Sequence, residues 1–273
     1  MTSIAHISDL HFGREDPLLV DALLALLTQQ RPTLVAVSGD LTQRARRSQF
    51  VRARAFLERL PGRHLVVPGN HDISLFNPWA RLRPFRNSGG LLTHRKVDTL
   101  RTDDTLLIGA NSARRARHKA GGLSEGTERY LTALLDEPDN RRPFTGLVMH
   151  HPVFEPPIGG APSPRRRALL RRLYEAGVQF VLSGHHHRPS VHFEPVGACE
   201  PRGGIWFVQA GTAVSERCRG PDSNSINLLQ TELRDGQPVL HVQMWAFSEQ
   251  ARDFRMRVEH AAPLRAPQAP AAT

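Results

Sequence analysis

The sequence predicts an α/β fold in which a parallel sheet carries helices on its outside and a second, mainly antiparallel sheet packs against it. In the first two thirds of the chain, short apolar runs alternate with segments of helical periodicity, which is the pattern of β-α-β units. Beyond His187 the strand-like segments follow one another without intervening helices, which is typical of antiparallel pairing.

The first half of the chain predicts three strands separated by two helices. The strands are Ile4–Ser8, Leu34–Ser38 and His64–Pro68, and the helices are Leu18–Gln30 and Ser48–Leu60. The first helix has apolar residues at helical spacing, and a Pro-Gly pair ends the second. Residues Ser74–Thr99 lack clear periodicity and contain prolines and glycines, so they form either a cap insertion over a site or an ordinary surface connection.

A second β-α-β run follows, and strands fill the rest of the chain. The elements are strand Thr105–Ala110, helix Ser124–Asp136, strand Gly146–Met149, helix Pro164–Ala176, and strands Val178–Ser183, Val191–Glu194, Ile205–Ala210, Ser225–Thr231 and Val239–Phe247. The last stretch, Ala261–Thr273, is rich in alanine and proline and predicts a disordered tail. We therefore expect one domain over residues 1–260.

Bulk properties narrow the class of protein. The chain has 273 residues, of which 40% are hydrophobic, and this fits one domain with a sizeable core. No apolar run approaches the ~20 residues of a membrane span, and no secretory signal pattern is present, so we expect a cytoplasmic protein. Cys199 and Cys218 are the only cysteines; two free thiols are favoured, with a disulfide left open.

The net charge of +10 comes almost entirely from arginine, since Lys96 and Lys119 are the only lysines. Arginine binds phosphate in a bidentate manner, which suits an anionic substrate. The arginines are spread along the whole chain, however, so a general compositional bias explains the charge better than one binding surface does.

Five short polar segments each follow a predicted buried strand. They are Asp9-Leu10-His11, Gly39-Asp40, Gly69-Asn70-His71-Asp72, His150-His151-Pro152 and Gly184-His185-His186-His187. The carboxyl ends of parallel strands meet at one edge of a sheet, so these side chains are expected to converge there. Residues at i and i+2 point to the same side, which pairs Asp9 with His11 and His185 with His187 but directs His186 elsewhere.

Each segment alone has an ordinary explanation, such as a turn aspartate or a core histidine, but five together predict a metal site. A carboxylate such as that of Asp40 has two oxygens and can bridge two ions. His71 can donate a proton to a leaving oxygen, and Asp72 beside it can orient the imidazole.

In this order the segments resemble the motif series of the calcineurin-like metallophosphoesterase superfamily, over roughly residues 4–190. The resemblance implies a four-layer α/β/β/α sandwich with a dinuclear metal site at the carboxyl ends of the strands. It assigns Asp9, His11 and His187 to one ion, Asn70, His150 and His185 to the other, Asp40 to both, and His71 to catalysis, where Asp72 is the residue expected to support it. The mixed nitrogen and oxygen ligands suit Mn, Fe or Zn.

The segments are most similar to those of the bacterial class III cyclic nucleotide phosphodiesterases. That similarity implies hydrolysis of small phosphodiesters, cyclic nucleotides among them, by attack of a hydroxide that bridges the metals. The strand-rich C-terminal end is compatible with a homodimer.

Three alternatives stay open. A nuclease of the repair-exonuclease kind would use a phosphate-tracking surface made of Arg44, Arg46, Arg47, Arg114, Arg115 and Arg165–Arg167. Only 6% of residues are aromatic, which leaves few stacking partners for bases. Nucleotide-lipid pyrophosphate hydrolases typically carry arginine where His71 stands, and scaffold proteins of this fold lose metal-site residues that are all present here.

Overall fold

The computed structural model describes residues 1–74, 84–92, 97–113, 121–152, 164–196, 203–220 and 222–266. Its strands are β1 (Ser3–Ile7), β2 (Leu34–Val37), β3 (Arg63–Val66), β4 (Val97–Arg101), β5 (Thr105–Ala110), β6 (Phe144–Val148), β7 (Phe180–Ser183), β8 (Ser190–Pro195), β9 (Gly204–Gln209), β10 (Ser225–Arg234), β11 (Gln237–Ser248) and β12 (Asp253–Pro263). Its α-helices are α1 (Pro17–Gln30), α2 (Arg47–Leu57), α3 (Glu125–Asp136) and α4 (Pro164–Glu175).

The strands form two six-stranded sheets, and each sheet contains both parallel and antiparallel pairs. The first sheet has the order β12-β11-β10-β1-β2-β3, and the second has the order β4-β5-β6-β7-β9-β8. Parallel pairing joins β1, β2 and β3 in the first sheet and β5, β6, β7 and β9 in the second. The remaining pairs are antiparallel.

Buried apolar side chains form three groups, which define four layers. One group lies between α1, α2 and the first sheet, one between the sheets, and one between the second sheet and α3, α4. Representative members, in that order, are Leu23, Phe50 and Val35; Ile4, Leu34 and Phe180; and Leu131, Leu173 and Leu147. Ile4 and Ala5 belong to different groups because neighbouring side chains of a strand face opposite sides of the sheet. The predicted α/β/β/α arrangement is confirmed.

The expected assignment of strands to sheets was wrong. The five segments were expected on one parallel sheet, with the C-terminal strands forming the other. Instead β1–β3 belong to the first sheet and β6 and β7 to the second, while β10–β12 extend the first sheet and β8 and β9 the second. The reason is that β10 pairs with β1 at the register Ser3↔Gln230, a contact between distant parts of the chain that leaves no local signal.

The helix starts have local causes in the sequence. Asp16 caps α1 by accepting a hydrogen bond from Leu18 N at 2.8 Å, and Pro17 occupies the first turn. Ser124 caps α3 by accepting a hydrogen bond from Thr127 N at 3.0 Å. None of the described helices combines the length and apolarity that a membrane crossing needs.

Two strands were not predicted. β4 begins at Val97, inside the expected insertion Ser74–Thr99, and β12 runs to Pro263, past the expected start of the tail at Ala261. Most side chains in the middle of β12 are exposed, so its sequence lacks the alternation that marks a half-buried strand. Residues 267–273 lie outside the described residues, as does Cys199. The homodimer stays a prediction.

The described part of the insertion, residues 84–92, packs on the first sheet's side of the molecule. Phe85 and Leu92 are buried in the same apolar group as α1 and α2. Asn87 Nδ2 donates a hydrogen bond to Ala45 O at 2.9 Å, and Arg54 Nη2 donates one to Gly89 O at 3.0 Å. Residues 75–83 and 93–96 lie outside the described residues, so a gate over the site stays a prediction.

Asp104 ties the two sheets together at the amino ends of β1 and β5. It lies in the turn between β4 and β5, and it accepts hydrogen bonds from Thr2 and, at 3.2 Å, from Thr231 of the first sheet. Thr105 Oγ1 donates another at 2.8 Å. Burial would raise the pKa of Asp104, but the hydrogen bonds from Thr2 and Thr105 outweigh this and hold the pKa well below its ordinary value.

Asp104→Asn is expected to lower the free energy of unfolding at pH 7 by on the order of 1 kcal/mol, because a charged acceptor of several hydrogen bonds is lost. A depressed carboxyl pKa stabilises the fold above the unfolded-state pKa of 3.8, and this contribution disappears as the pH falls through the folded-state value. Denaturant unfolding from pH 7 to pH 3 should show the two proteins converging below about pH 4. A difference that is constant across this range contradicts the role of the charge.

Candidate metal centre

The candidate ligands lie in the turns that follow the parallel strands of both sheets, and most have unusual backbone geometry. Five have positive φ angles: Asp9 (52°), His11 (46°), Asp40 (52°), His185 (78°) and His187 (55°). For residues other than glycine this region costs on the order of 1 kcal/mol each. Such backbone strain persists only where the surrounding structure holds the residue in place. In this site the strained backbone conformations direct the five side chains toward one point.

Glycine at two positions lets these turns approach each other. A Cβ on Gly184 would collide with the Ser8 hydroxyl and the Asp9 carboxylate, and a Cβ on Gly69 would collide with Asp40. Gly184 is therefore required by the contact between turns of the two sheets, and Gly69 by the contact between neighbouring turns of the first sheet.

Three side chains form the Asp9 group: Asp9, His11 and His187. Their ligand atoms all lie within 4.8 Å of one another, and all three side chains are buried. His187 Nε2 lies 3.0 Å from His11 Nε2 and 3.1 Å from Asp9 Oδ1. His187 Nδ1 donates a hydrogen bond to Arg217 O at 2.6 Å, so Nε2 is the nitrogen turned toward the group.

Three other side chains form the His150 group: Asn70, His150 and His185. Asn70 Oδ1 lies 3.0 Å from His150 Nε2 and 3.1 Å from His185 Nδ1. His150 Nδ1 donates a hydrogen bond to Ser38 O at 2.8 Å, which leaves Nε2 facing the group. The sequence placed Asn70 and His150 far apart, and the two sheets bring them together.

Asp40 stands between the two groups. Its Oδ2 lies 3.7 Å from His11 Nε2 and 3.4 Å from His150 Nε2. Its Oδ1 accepts a hydrogen bond from His71 N at 2.8 Å. One carboxylate oxygen thus faces both groups, which is the position expected of a bridging ligand.

His151 and His186 are the histidines that adjoin the candidate histidine ligands in sequence. The ligand atoms of His151 lie within reach of His150 and His185, but His151 Nδ1 is 3.1 Å from Ser112 Oγ and the ring packs against Gly121. His150 rather than His151 contacts Asp40, which agrees with the choice made from the sequence. Among the described residues, His186 belongs to no group of potential ligands.

The buried charges of the site are unbalanced. Burial would raise the pKa of Asp9, but the imidazoles of His11 and His187 hold it well below its ordinary value. Burial opposes ionisation of Asp40 too, yet the charge of His150 lowers its pKa. The same pairing overcomes the effect of burial on His150 and raises its pKa to about 9. Burial, followed by the charge of His150, lowers the pKa of His185 to about 4.

These features fit metal ions. Two ionised carboxylates that are almost fully buried need cationic partners; His150 supplies one fully buried positive charge, and the guanidinium of Arg217 is only half-buried. Asp9 Oδ1 is a buried acceptor to which no described residue donates a hydrogen bond. Spacings near 3 Å between donor atoms match the edges of a coordination shell with bonds of about 2.0–2.2 Å. Nitrogen and oxygen donors in both groups suit divalent transition metals.

His71 lies at the edge of the Asp9 group. Its ring contacts the His11 ring edge-on, with centroids 4.9 Å apart. Its Nδ1 lies 2.8 Å from Gln43 O, and because a carbonyl only accepts hydrogen bonds, Nδ1 carries the hydrogen. Nε2 is therefore the nitrogen of His71 to which a role in proton transfer is assigned.

The role expected of Asp72 is corrected by the structure. Its carboxylate accepts hydrogen bonds from Gly69 N, Leu41 N and Thr42 N at 2.9–3.1 Å, and Gln43 O takes the position beside the His71 ring that was expected for Asp72. Adjacent residues in the 3₁₀ turn Asn70–Asp72 project in different directions, so Asp72 holds the turn and not the imidazole. Burial, followed by the charge of Asp40, raises the pKa of Asp72 to about 7.

Sequence reasoning missed Arg217. Its Nη1 lies 3.2 Å from His71 Nε2 and 3.3 Å from His11 Nε2, and its carbonyl orients His187. Arg217 follows β9 in a loop that also contains Arg219, and no local pattern distinguishes the two. Arg114 and Arg115, which were considered as phosphate contacts, lie outside the described residues.

Two packed mixed sheets thus carry, at their carboxyl ends, paired groups of candidate ligands for metal ions. The chain belongs to the calcineurin-like phosphoesterase family, since a model of this family matches residues 2–189. It is therefore a metallophosphoesterase, and the family implies the dinuclear metal site for which the structure supplies candidate ligands.

Similar proteins agree with this assignment. The chain is 33% identical over 205 residues to the glycerophosphodiester phosphodiesterase GpdQ of Enterobacter lignolyticus, and the match covers 67% of this chain and 70% of that protein. The purple acid phosphatase PPD1 of yellow lupin superposes with a TM-score of 0.62 at 13% identity, covering 95% of this chain and 53% of that one. GAP50 of Plasmodium superposes with a TM-score of 0.63 at 12% identity, covering 98% and 90%. At these identities the two structures show a shared fold alone.

Asp40→Asn is expected to weaken the binding of both metal ions by at least about 10-fold, because the carboxylate oxygen facing both groups loses its charge. Asn70→Ala, the matched variant, removes a donor from the His150 group only and should leave one ion bound with unchanged affinity. Calorimetric titration with Mn²⁺ and elemental analysis after dialysis measure both effects. Unchanged metal content in Asp40→Asn, or loss of a single ion, contradicts the shared position.

Proposed function

We propose that this protein is a metal-dependent phosphodiesterase that hydrolyses small phosphodiesters, with cyclic nucleotides as its substrate class. The observation that carries the proposal is the position of Asp40 Oδ2 between the Asp9 group and the His150 group. An oxygen shared in this way supports two ions close enough to act on one phosphate.

The proposed ligands follow from the two groups. Asp9, His11 and His187 hold one ion, Asn70, His150 and His185 hold the other, and Asp40 is shared. When bound, the ions supply a water nucleophile and neutralise the charge that develops on the phosphate. Mn, Fe and Zn are the proposed metals, because the donor set mixes imidazole nitrogen with carboxylate and amide oxygen.

The chain's own residues position the reacting groups. The carbonyls of Ser38 and Arg217 fix His150 and His187 so that Nε2 of each faces its group. Gln43 O fixes the ring of His71 through Nδ1, so Nε2 faces the site, and in the doubly protonated ring Nε2 gives its proton to the departing alkoxide. Asp72 contributes by holding the turn that carries Asn70 and His71.

His71→Ala is expected to lower kcat by about 10²–10⁴-fold, the usual effect of losing a general acid. Metal content should be unchanged, because His71 belongs to neither ligand group. Steady-state kinetics with bis(p-nitrophenyl) phosphate and elemental analysis measure the two quantities. His260→Ala, on β12, is the control and should match the wild type. Normal turnover in His71→Ala contradicts the proton-donor role.

Glycerophosphodiesters are the second candidate substrate class, because the similar protein GpdQ is named for that activity. The resemblance of the five polar segments favours cyclic nucleotides, whereas the curated relative favours glycerophosphodiesters. Both are small phosphodiesters with one negative charge, so the proposed site chemistry is the same.

The arrangement of arginines does not favour a nuclease. Arg46 and Arg47 lie at the start of α2, which packs outside the first sheet, whereas Arg165–Arg167 lie on α4, which packs outside the second. Helices on opposite outer layers are a poor basis for one track along a nucleic acid backbone.

Hydrolysis by Mn-loaded protein should be measured with bis(p-nitrophenyl) phosphate, 3′,5′-cAMP, 2′,3′-cAMP, glycerophosphoethanolamine and single-stranded DNA. Turnover of the small diesters, with the cyclic nucleotides ahead of the glycerophosphodiester and DNA intact, is the expected result. If glycerophosphoethanolamine is preferred, the proposed substrate class changes to glycerophosphodiesters, whereas the proposed reaction, phosphodiester hydrolysis, is unchanged. Preferred cleavage of DNA, or no diester turnover with two ions bound, contradicts the proposal.

A further inference from the structure

The Arg217 guanidinium lies inside the site and faces nitrogen atoms instead of a carboxylate. Nη1 is 3.2 Å from His71 Nε2, and 3.3 Å and 3.4 Å from the two ring nitrogens of His11. Within the described residues, no carboxylate forms an ion pair with it. By contrast, Arg14 in the neighbouring turn is paired with Glu216 at 3.7 Å.

Burial lowers the pKa of Arg217, and the charges of Asp40 and Asp9, both proposed metal ligands, partly oppose this. Once metal ions neutralise those carboxylates, the position is unfavourable for a cation unless another anion joins it. The guanidinium is half-buried, and it lies beside His11, one of the proposed ligands of a metal cation. Like charges at short range repel each other, and the repulsion is strongest where water is partly excluded. A negatively charged group between the guanidinium and the metal site would attract both cations and so offset the repulsion between them.

A phosphodiester supplies such a group. Its phosphate carries one negative charge on two non-bridging oxygens, and the planar guanidinium donates parallel hydrogen bonds to oxygens of this kind. A guanidinium has donors only, so its contact with His71 uses the lone pair of Nε2. Moving from His71 to the phosphate would end this contact beside the bound substrate.

We propose that Arg217 binds a non-bridging oxygen of the scissile phosphate and thereby positions the substrate between the metal ligands and His71. The inference rests on the proposed phosphodiesterase function. In this inference the Arg217 side chain contacts the substrate directly, in addition to any contact that the substrate makes with ions held by the two ligand groups.

The backbone and side chain of Arg217 have separate roles, and this makes the proposal testable. The carbonyl orients His187 and is retained in any substitution, so metal binding should be preserved. Arg219 provides a matched control: it carries the same charge in the same loop, it is exposed, and its carbonyl accepts a hydrogen bond from Arg188 Nε at 3.2 Å.

Arg217→Gln, Arg217→Lys and Arg219→Gln should be compared with the wild type as Mn-loaded proteins. For Arg217→Gln we expect KM for bis(p-nitrophenyl) phosphate, and Kd for inorganic phosphate by calorimetry, to rise about 10–100-fold, the effect of losing a charge-assisted hydrogen bond pair. Arg217→Lys should recover part of both losses, and kcat should change less than KM. Arg219→Gln should alter both constants less than about 3-fold, as expected for an exposed charge.

The outcomes separate this inference from the proposed function. If Arg217→Gln and Arg219→Gln have equal KM and equal phosphate affinity and still hydrolyse diesters, the inference about Arg217 is contradicted. The proposed phosphodiesterase function is then unaffected. If phosphate affinity is lost only in Arg217→Gln and the wild type hydrolyses no diester, the contact between Arg217 and the anion is supported and the proposed function is contradicted. A wild type that binds no phosphate, or loss of metal in Arg217→Gln, contradicts the inference.

Discussion

The close approach of two sheets at the carboxyl ends of their parallel strands is the constraint on which the rest of this structure depends. His185 N donates a hydrogen bond to Asp9 Oδ2 at 2.9 Å, and His150 Nδ1 donates one to Ser38 O at 2.8 Å. Each bond joins a turn of the second sheet to a turn of the first. Apolar side chains that fill the space between the sheets fix this distance, and Gly184 permits it. Both ligand groups contain residues from each sheet.

The site is stabilised less by its own contacts than by the fold around it. Positive φ angles at Asp9, His11, Asp40, His185 and His187, together with two nearly buried carboxylates, are costs that the surrounding core must offset. Metal ions would relieve the electrostatic part of this cost, and metal binding and folding stability are therefore expected to be coupled. The same reasoning applies to the guanidinium of Arg217, which forms no ion pair with a carboxylate within the described residues and for which a substrate phosphate would provide a negative charge.

The sequence predicted the described α-helices and all strands except β4 and β12, and it named the candidate ligands that the structure brings together, because these features leave local signals. A buried strand is an apolar run, and Asp9 with His11 is recognisable by its spacing after such a run. Sheet membership was not predictable, since the pairing of β10 with β1 joins residues more than 200 positions apart and depends on the whole fold. Asp72 was misassigned because adjacency in sequence does not decide where side chains of a 3₁₀ turn project. Arg217 became visible only through its distance to His71, 146 residues away.

The central claim is that two ions share Asp40, and anomalous X-ray diffraction from crystals of Mn-loaded protein tests it most directly. The account predicts two anomalous peaks about 3.5–4 Å apart, with Asp40 Oδ2 between them. One peak should lie among Asp9, His11 and His187, and the other among Asn70, His150 and His185. A single peak, or two peaks that do not share Asp40, would contradict it.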